Sequence, residues 1–125
     1  HVFDALYSYL ELAQRVCEQD QCHGMSWNIG PRLTDTKSVR GAVARFMSNF
    51  DAQVGVSEVA PTYVETNALL LDSTKVFVEH GIYSRLTVDE SLDLAAKWYK
   101  KYIQVGLSQR LANFSKQQLV DYIVH

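Results

Sequence analysis

The sequence predicts an α+β fold, mostly helical, with about five helices and a small sheet of short strands. Two observations carry this. Apolar residues recur three and four positions apart over most of the 125 residues, the spacing of a helix face. Three short runs, residues 25–29, 53–59 and 67–71, break that rhythm with alternating or consecutive apolar residues between turn signals, as short strands do. Hydrophobic residues make up 47% of the chain, enough for one core. No repeat, low-complexity tract or Pro/Gly/Ser linker divides it, so residues 1–125 are expected to form a single domain.

The first helix is expected over residues 3–19, with Phe3, Leu6, Tyr7, Leu10, Ala13 and Cys17 on its apolar face and Gly24 closing the polar tail. The run Ser26-Trp27-Asn28-Ile29-Gly30-Pro31 then reads as a short strand stopped by Gly-Pro. In the second helix Val39, Val43, Phe46, Met47 and Phe50 share a face, and Asp35 or Thr36 is placed to cap its first free N–H groups. A short third helix begins at Asp72-Ser73 and ends at Gly81, with Val76, Phe77 and His80 inward or partly so. It follows Ala68-Leu69-Leu70-Leu71, whose consecutive apolar residues suit a strand covered on both faces.

Thr87-Val88-Asp89-Glu90 has the spacing of a capping box, in which the threonine hydroxyl and the glutamate each satisfy an N–H group at the helix start. The fourth helix is therefore expected over residues 87–104, with Leu92, Ala95, Ala96, Tyr99 and Ile103 on one face and Gly106 as its stop. A second box, Ser115 to Gln118, is expected to open a last helix whose apolar face is Leu119, Tyr122 and Ile123.

Composition restricts function. Fourteen acidic against twelve basic residues leave a net charge of −2, so bulk electrostatics predicts neither nucleic-acid nor anionic-membrane binding. No apolar run approaches the roughly 18 residues of a membrane span, and the N-terminus lacks a signal peptide's basic start. A cytoplasmic protein is expected. Cys17 and Cys22 are separated by four residues and precede His23, but His1, His80 and His125 are too scattered to complete a zinc site, so no metal is expected. Free thiols in a reducing compartment fit better. The six glycines form neither a dinucleotide fingerprint nor a phosphate loop, and no G-x-S-x-G or Tyr-x-x-x-Lys pattern occurs. No catalytic residue is assigned.

The order of segments nevertheless resembles a known family. His1-Val2 followed by the helix and then Trp27-Asn28-Ile29-Gly30-Pro31, next VETNALLLDSTK, and finally LTVDESLDLAAKWYKKYIQVG are similar, in that order, to the C-terminal part of CDP-glucose 4,6-dehydratases of the extended short-chain dehydrogenase family. The resemblance covers nearly the whole chain. It implies the substrate-binding portion of an NAD-dependent lyase whose nucleotide-binding domain would precede His1. The NAD fold, the Tyr-x-x-x-Lys pair and the acidic residue that transfer hydride and protons in such relatives have no counterpart here. The chain alone is thus expected to hold no cofactor and to be catalytically incompetent.

The resemblance also suggests contacts to a nucleotide sugar. Residues 61–67 occupy the place where relatives approach the nucleotide, which makes Tyr63 and Glu65 candidates, Glu65 matching the relatives' glutamate. Val64 replaces their histidine and Thr66 their alanine. Asn28 can donate and accept, or can fix its own turn before Gly30-Pro31. Arg32 could reach a phosphate or remain a solvated surface cation. His80-Gly81-Ile82 replaces the usual Leu-Gly-Trp. An alternative is a stand-alone, non-enzymatic homodimeric module, with the surface of Phe3, Tyr7, Trp27 and Ile29 paired to a second copy because no upstream domain covers it.

Overall fold

The computed structural model describes residues 1–18, 24–50, 57 and 70–124. Among these the chain forms five helices and no strand: α1 (Val2–Glu18), α2 (Val39–Met47), α3 (Thr74–His80), α4 (Val88–Val105) and α5 (Gln109–Val124). The expected α+β fold is therefore corrected to a helical one. Residues 25–29 lie in no element and pair with no strand. Side chains take backbone carbonyls that a sheet would have paired: Lys75 Nζ donates to the Ser26 carbonyl at 3.0 Å and Ser84 Oγ to the Gly30 carbonyl at 2.9 Å. Apart from Ser57, Leu70 and Leu71, which lie in no element, the other two strand candidates fall outside the described residues.

The α4–α5 pair is the centre of the packing. Thr87 caps α4 as its sequence requires: its hydroxyl accepts from the Glu90 N–H at 3.2 Å while Glu90 Oε2 accepts from the Thr87 N–H at 2.8 Å. Gly106 ends the helix at φ 60°, its N–H bonded to the Tyr102 carbonyl at 2.8 Å. A three-residue turn then starts α5, six residues before the expected Ser115 cap. Ser115 lies inside the helix because its hydroxyl is already engaged: it donates to the Leu111 carbonyl at 3.0 Å and accepts from Trp98 Nε1 at 2.9 Å. Gln118 Nε2 donates to the Leu94 carbonyl at 3.0 Å, and Ala96 and Leu111 are buried. The pairs Leu94 with Gln118 and Trp98 with Ser115 fix an antiparallel hairpin.

α2 joins this hairpin through Phe46, whose ring lies 5.9 Å from that of Tyr99. Arg45 holds Asp93 with two donors, and Asn49 Nδ2 adds a third at 2.9 Å. The helix is capped by Ser38, whose hydroxyl accepts from the Gly41 N–H at 3.1 Å, rather than by Asp35 or Thr36. Asp35 instead reaches across the chain and accepts from the Val88 N–H at 2.6 Å, taking an orphan donor of α4.

α1 is turned differently from its apolar pattern. Asp4 and Ser8 are buried, whereas Leu6, Leu10, Ala13 and Cys17 are exposed. The cause is polar. Asp4 Oδ1 accepts from the Arg85 N–H at 2.9 Å, the Leu86 N–H at 3.4 Å and the Tyr122 hydroxyl at 2.9 Å. The Phe3 ring meets the Tyr122 ring tilted at 5.6 Å and the Tyr7 ring meets it edge-on at 6.0 Å, so α1 docks onto α5 and the 84–86 loop. Burial first, and then the bond to Asp4, push the Tyr122 phenol above its ordinary pKa. The Arg85 guanidinium lies over both tyrosine rings, 4.9 Å from Tyr7 and 5.2 Å from Tyr122. In α3, Val76 is buried but Phe77 is exposed, and Gly81 closes the helix at φ 70° with its N–H on the Phe77 carbonyl, a left-handed stop that favours glycine.

Candidate functional site

The segment 26–33 meets α3, and their junction makes a cleft. Trp27 Nε1 donates to Glu79 Oε2 at 2.6 Å and its ring meets His80 edge-on at 5.0 Å. Lys75 Nζ stands 5.3 Å over the same ring. Asn28 Nδ2 donates to the Asp72 carbonyl at 3.3 Å, which ties the segment to the residues entering α3. The backbone passes close to Leu71 at Gly30, where a Cβ would stand 3.3 Å from Leu71 Cβ and 3.4 Å from its carbonyl oxygen, a tight fit. Asp72 Oδ1 accepts from the Thr74 N–H at 2.9 Å, and its bonding to Thr74 holds its carboxyl below the ordinary pKa.

Beyond Gly30-Pro31 the chain delivers Arg32 and Leu33 to a cleft of about 460 Å³, lined also by Ser73, Thr74, Phe77 and Tyr83. The Arg32 guanidinium lies 5.2 Å over the Tyr83 ring. The Phe77 and Tyr83 rings stand edge to face at 6.1 Å, and both side chains are about half exposed. One fixed cation, two aromatic surfaces and two hydroxyl side chains form a place for a ligand with an anionic group beside a planar or sugar ring. No histidine, cysteine or carboxylate is among the described lining residues to activate these hydroxyls, and what the lining offers is binding chemistry.

Of the four residues expected to contact substrate, Arg32 lines this cleft and Asn28 braces its wall, with its amide on a backbone carbonyl. Tyr63 and Glu65 lie outside the described residues. Phe77 and Tyr83 escaped the sequence reading. Phe77 fits the inward face of α3 by spacing, and Tyr83 follows the helix stop with no periodic neighbour; the signal was an aromatic residue on either side of the Gly81 stop.

The surface expected to need cover is largely engaged within the chain. Phe3 and Tyr7 meet Tyr122, Trp27 is held by Glu79, His80 and Lys75, and Ile29 lines a second cleft of about 450 Å³ with Ala5, Pro31 and Leu92. All four are half-buried. An NAD cradle would need glycine-flanked N–H groups at a helix start, and α2 and α4 open on Ser38 and Thr87, whose hydroxyls occupy those groups. Those two helix starts do not fit the dinucleotide. Among them no cluster of three or more histidine, cysteine or carboxylate side chains could hold a metal.

Comparison with known proteins agrees with the resemblance read from the segments. Over 124 residues, 98% of the chain, the sequence is 27% identical to the CDP-glucose 4,6-dehydratase of Salmonella typhimurium, within the C-terminal part of that enzyme. The aligned stretch is 34% of the enzyme's length, so the chain spans about a third of the curated relative it matches. No family model matches the chain, and no solved structure matches it significantly.

Proposed function

We propose that the chain is the nucleotide-sugar-binding, C-terminal portion of a sugar-nucleotide 4,6-dehydratase and that it performs no hydride or proton transfer by itself. The observation that carries this reading is the similarity to a CDP-glucose 4,6-dehydratase along 98% of the chain. The cleft supports it chemically. Arg32 offers the paired donors that suit a diphosphate, and Phe77 and Tyr83 offer ring surfaces for a base or a sugar. NMR titration of the 125-residue chain with CDP-glucose tests it. Shifts should centre on Arg32, Thr74, Phe77 and Tyr83, and Arg32→Ala should weaken binding about tenfold or more, the worth of a charge-assisted hydrogen bond. No shifts at millimolar CDP-glucose, or the same affinity in Arg32→Ala, would sink the assignment of this cleft. Formation of 4-keto sugar by the chain alone would sink the non-catalytic part.

A second reading, the stand-alone homodimeric module, draws on α1. Val2, Leu6, Tyr9 and Leu10 recur at helical spacing and each is more than half exposed, a continuous apolar stripe of the kind that protein normally covers. In this reading the second copy covers that stripe, rather than Phe3, Tyr7, Trp27 and Ile29. Sedimentation velocity over a wide concentration range decides: a dimer dispersed by Leu6→Asp supports the module, and a monomer at high micromolar concentration removes it.

A further inference from the structure

Charge is segregated along this chain. Residues 94–120 contain Lys97, Lys100, Lys101, Arg110 and Lys116 and no Asp or Glu, while the other seven cations stand against all 14 carboxylates. A stretch of 27 residues thus carries +5 in a chain whose net charge is −2. It comprises the C-terminal part of α4, the turn at Gly106-Leu107-Ser108 and most of α5. At the turn the apolar side chains face water: Leu107 is 86% exposed and Ile103 72%, with Tyr99 and Tyr102 partly exposed behind them. At about 1.5 Å rise per residue, Lys100 and Lys101 lie within roughly 9 Å of Gly106 along the axis, and Arg110 is in the first turn of α5. None of the ion pairs among the described residues takes Lys101, Arg110 or Lys116.

We propose that the α4–α5 turn is a peripheral docking tip for an anionic lipid surface. Ile103 and Leu107 enter the boundary between headgroups and acyl chains, Tyr99 and Tyr102 sit at headgroup level, and Lys101 and Arg110 meet lipid phosphates. The net charge argued against a membrane, but screening at physiological salt acts over about 8 Å. Headgroups at the turn therefore feel the cations near it more than the net charge of the chain. Two features separate lipid from other anionic partners. A nucleic-acid backbone would satisfy the cations and leave Ile103 and Leu107 in water. A protein partner needs about 800 Å² of contact on each side for a stable interface, far more than two protruding side chains supply, whereas a bilayer accepts them singly. No helix among the described residues is long and apolar enough to cross a membrane, so the contact is superficial and reversible.

The test is co-sedimentation of the 125-residue chain with vesicles of phosphatidylglycerol and phosphatidylcholine in equal parts, beside vesicles of phosphatidylcholine alone. The chain should be retained on the anionic vesicles at low ionic strength, released by added salt, and pass the neutral ones. Neutralising two cations in Lys101→Gln/Arg110→Gln should weaken retention roughly 25-fold, about fivefold for each charge near the surface. Leu107→Ser should weaken it about tenfold by removing the inserted side chain. Both variants alter exposed or half-exposed positions, and unchanged thermal melts would exclude misfolding. Absence of retention on anionic vesicles, equal retention on neutral ones, or retention indifferent to both variants would overturn the proposal. Binding to a labelled oligonucleotide without vesicle retention would also overturn it, in favour of nucleic acid.

Discussion

Replacing Asp4 with alanine should be among the most costly single changes in this chain, although Asp4 is a charged residue on a helix. Its carboxylate is 6% exposed and accepts from the Arg85 N–H and the Tyr122 hydroxyl at 2.9 Å and from the Leu86 N–H at 3.4 Å. A hydrogen bond to a charged group contributes about 1.5–3 kcal/mol, and a buried donor left unpaired costs about 1–3 kcal/mol. With the longer bond at the weak end, Asp4→Ala should cost about 3–5 kcal/mol, a large share of the roughly 5–15 kcal/mol available to a domain. Tyr122→Phe keeps the ring contacts and both backbone donors, so it should cost only about 1–2 kcal/mol. The double variant should lose less than the sum, since both changes remove one shared bond. Urea denaturation followed by far-UV circular dichroism measures all three, with the slope held constant as the check that the unfolded state is unchanged. A loss under about 1 kcal/mol for Asp4→Ala would refute the reasoning that polar demand, not apolar pattern, sets how α1 docks.

Trp98 stacks on Tyr102 at 5.6 Å with rings nearly parallel, meets Tyr99 edge-on and donates to Ser115; Trp98→Ala should cost about 3 kcal/mol, the low end for a large aromatic because the ring is half-buried. A loss below about 1 kcal/mol would mean that the ring is held by neither helix. Asp93 is kept below its ordinary pKa by hydrogen bonds, first from Arg45 and then from Asn49. The stability it contributes is therefore complete above the ordinary aspartate value near pH 4 and lost as the pH falls through its native value. Because Arg45 is well exposed, the contribution should be about 0.5–1 kcal/mol. Wild type and Asp93→Asn should differ by that amount at neutral pH and converge in acid. A difference that persists in strong acid would contradict the assignment.

What the sequence made legible was mostly local. The α4 start and stop could be read because Thr87, Glu90 and Gly106 act within one turn of each other. Ser115 and Gln118 have the same spacing and misled, since Trp98, seventeen residues earlier, shares the serine hydroxyl. Asp35 misled in the same way: a long-range bond to Val88 removed it from the helix it precedes. The strand reading of residues 25–29 failed, because β-propensity carries no information about whether a neighbour will be another strand or the side chains of Lys75 and Ser84. At the cleft, Arg32 was legible as a cation after a turn, while Phe77 and Tyr83 needed the direction that Gly81 gives to the chain.

The bond between Tyr122 and Asp4 joins residues 118 positions apart, which bears on the order in which the chain acquires its structure. The α4–α5 hairpin closes a three-residue turn and can form as soon as both helices exist. Of the described helices α1 is made before the others, and although Asp4 can meet the 84–86 loop earlier, the Tyr122 ring and hydroxyl that complete its inward face come only with α5. Closing a loop of 118 residues rather than ten costs about 2 kcal/mol more in chain entropy, so α1 docks after the hairpin. At roughly 5–20 residues per second of synthesis, α1 waits on the order of 6–24 s, with Phe3, Tyr7 and the apolar stripe of Leu6 and Leu10 all open. Protease sensitivity of ribosome-bound chains should therefore stay high across α1 until residue 122 has emerged.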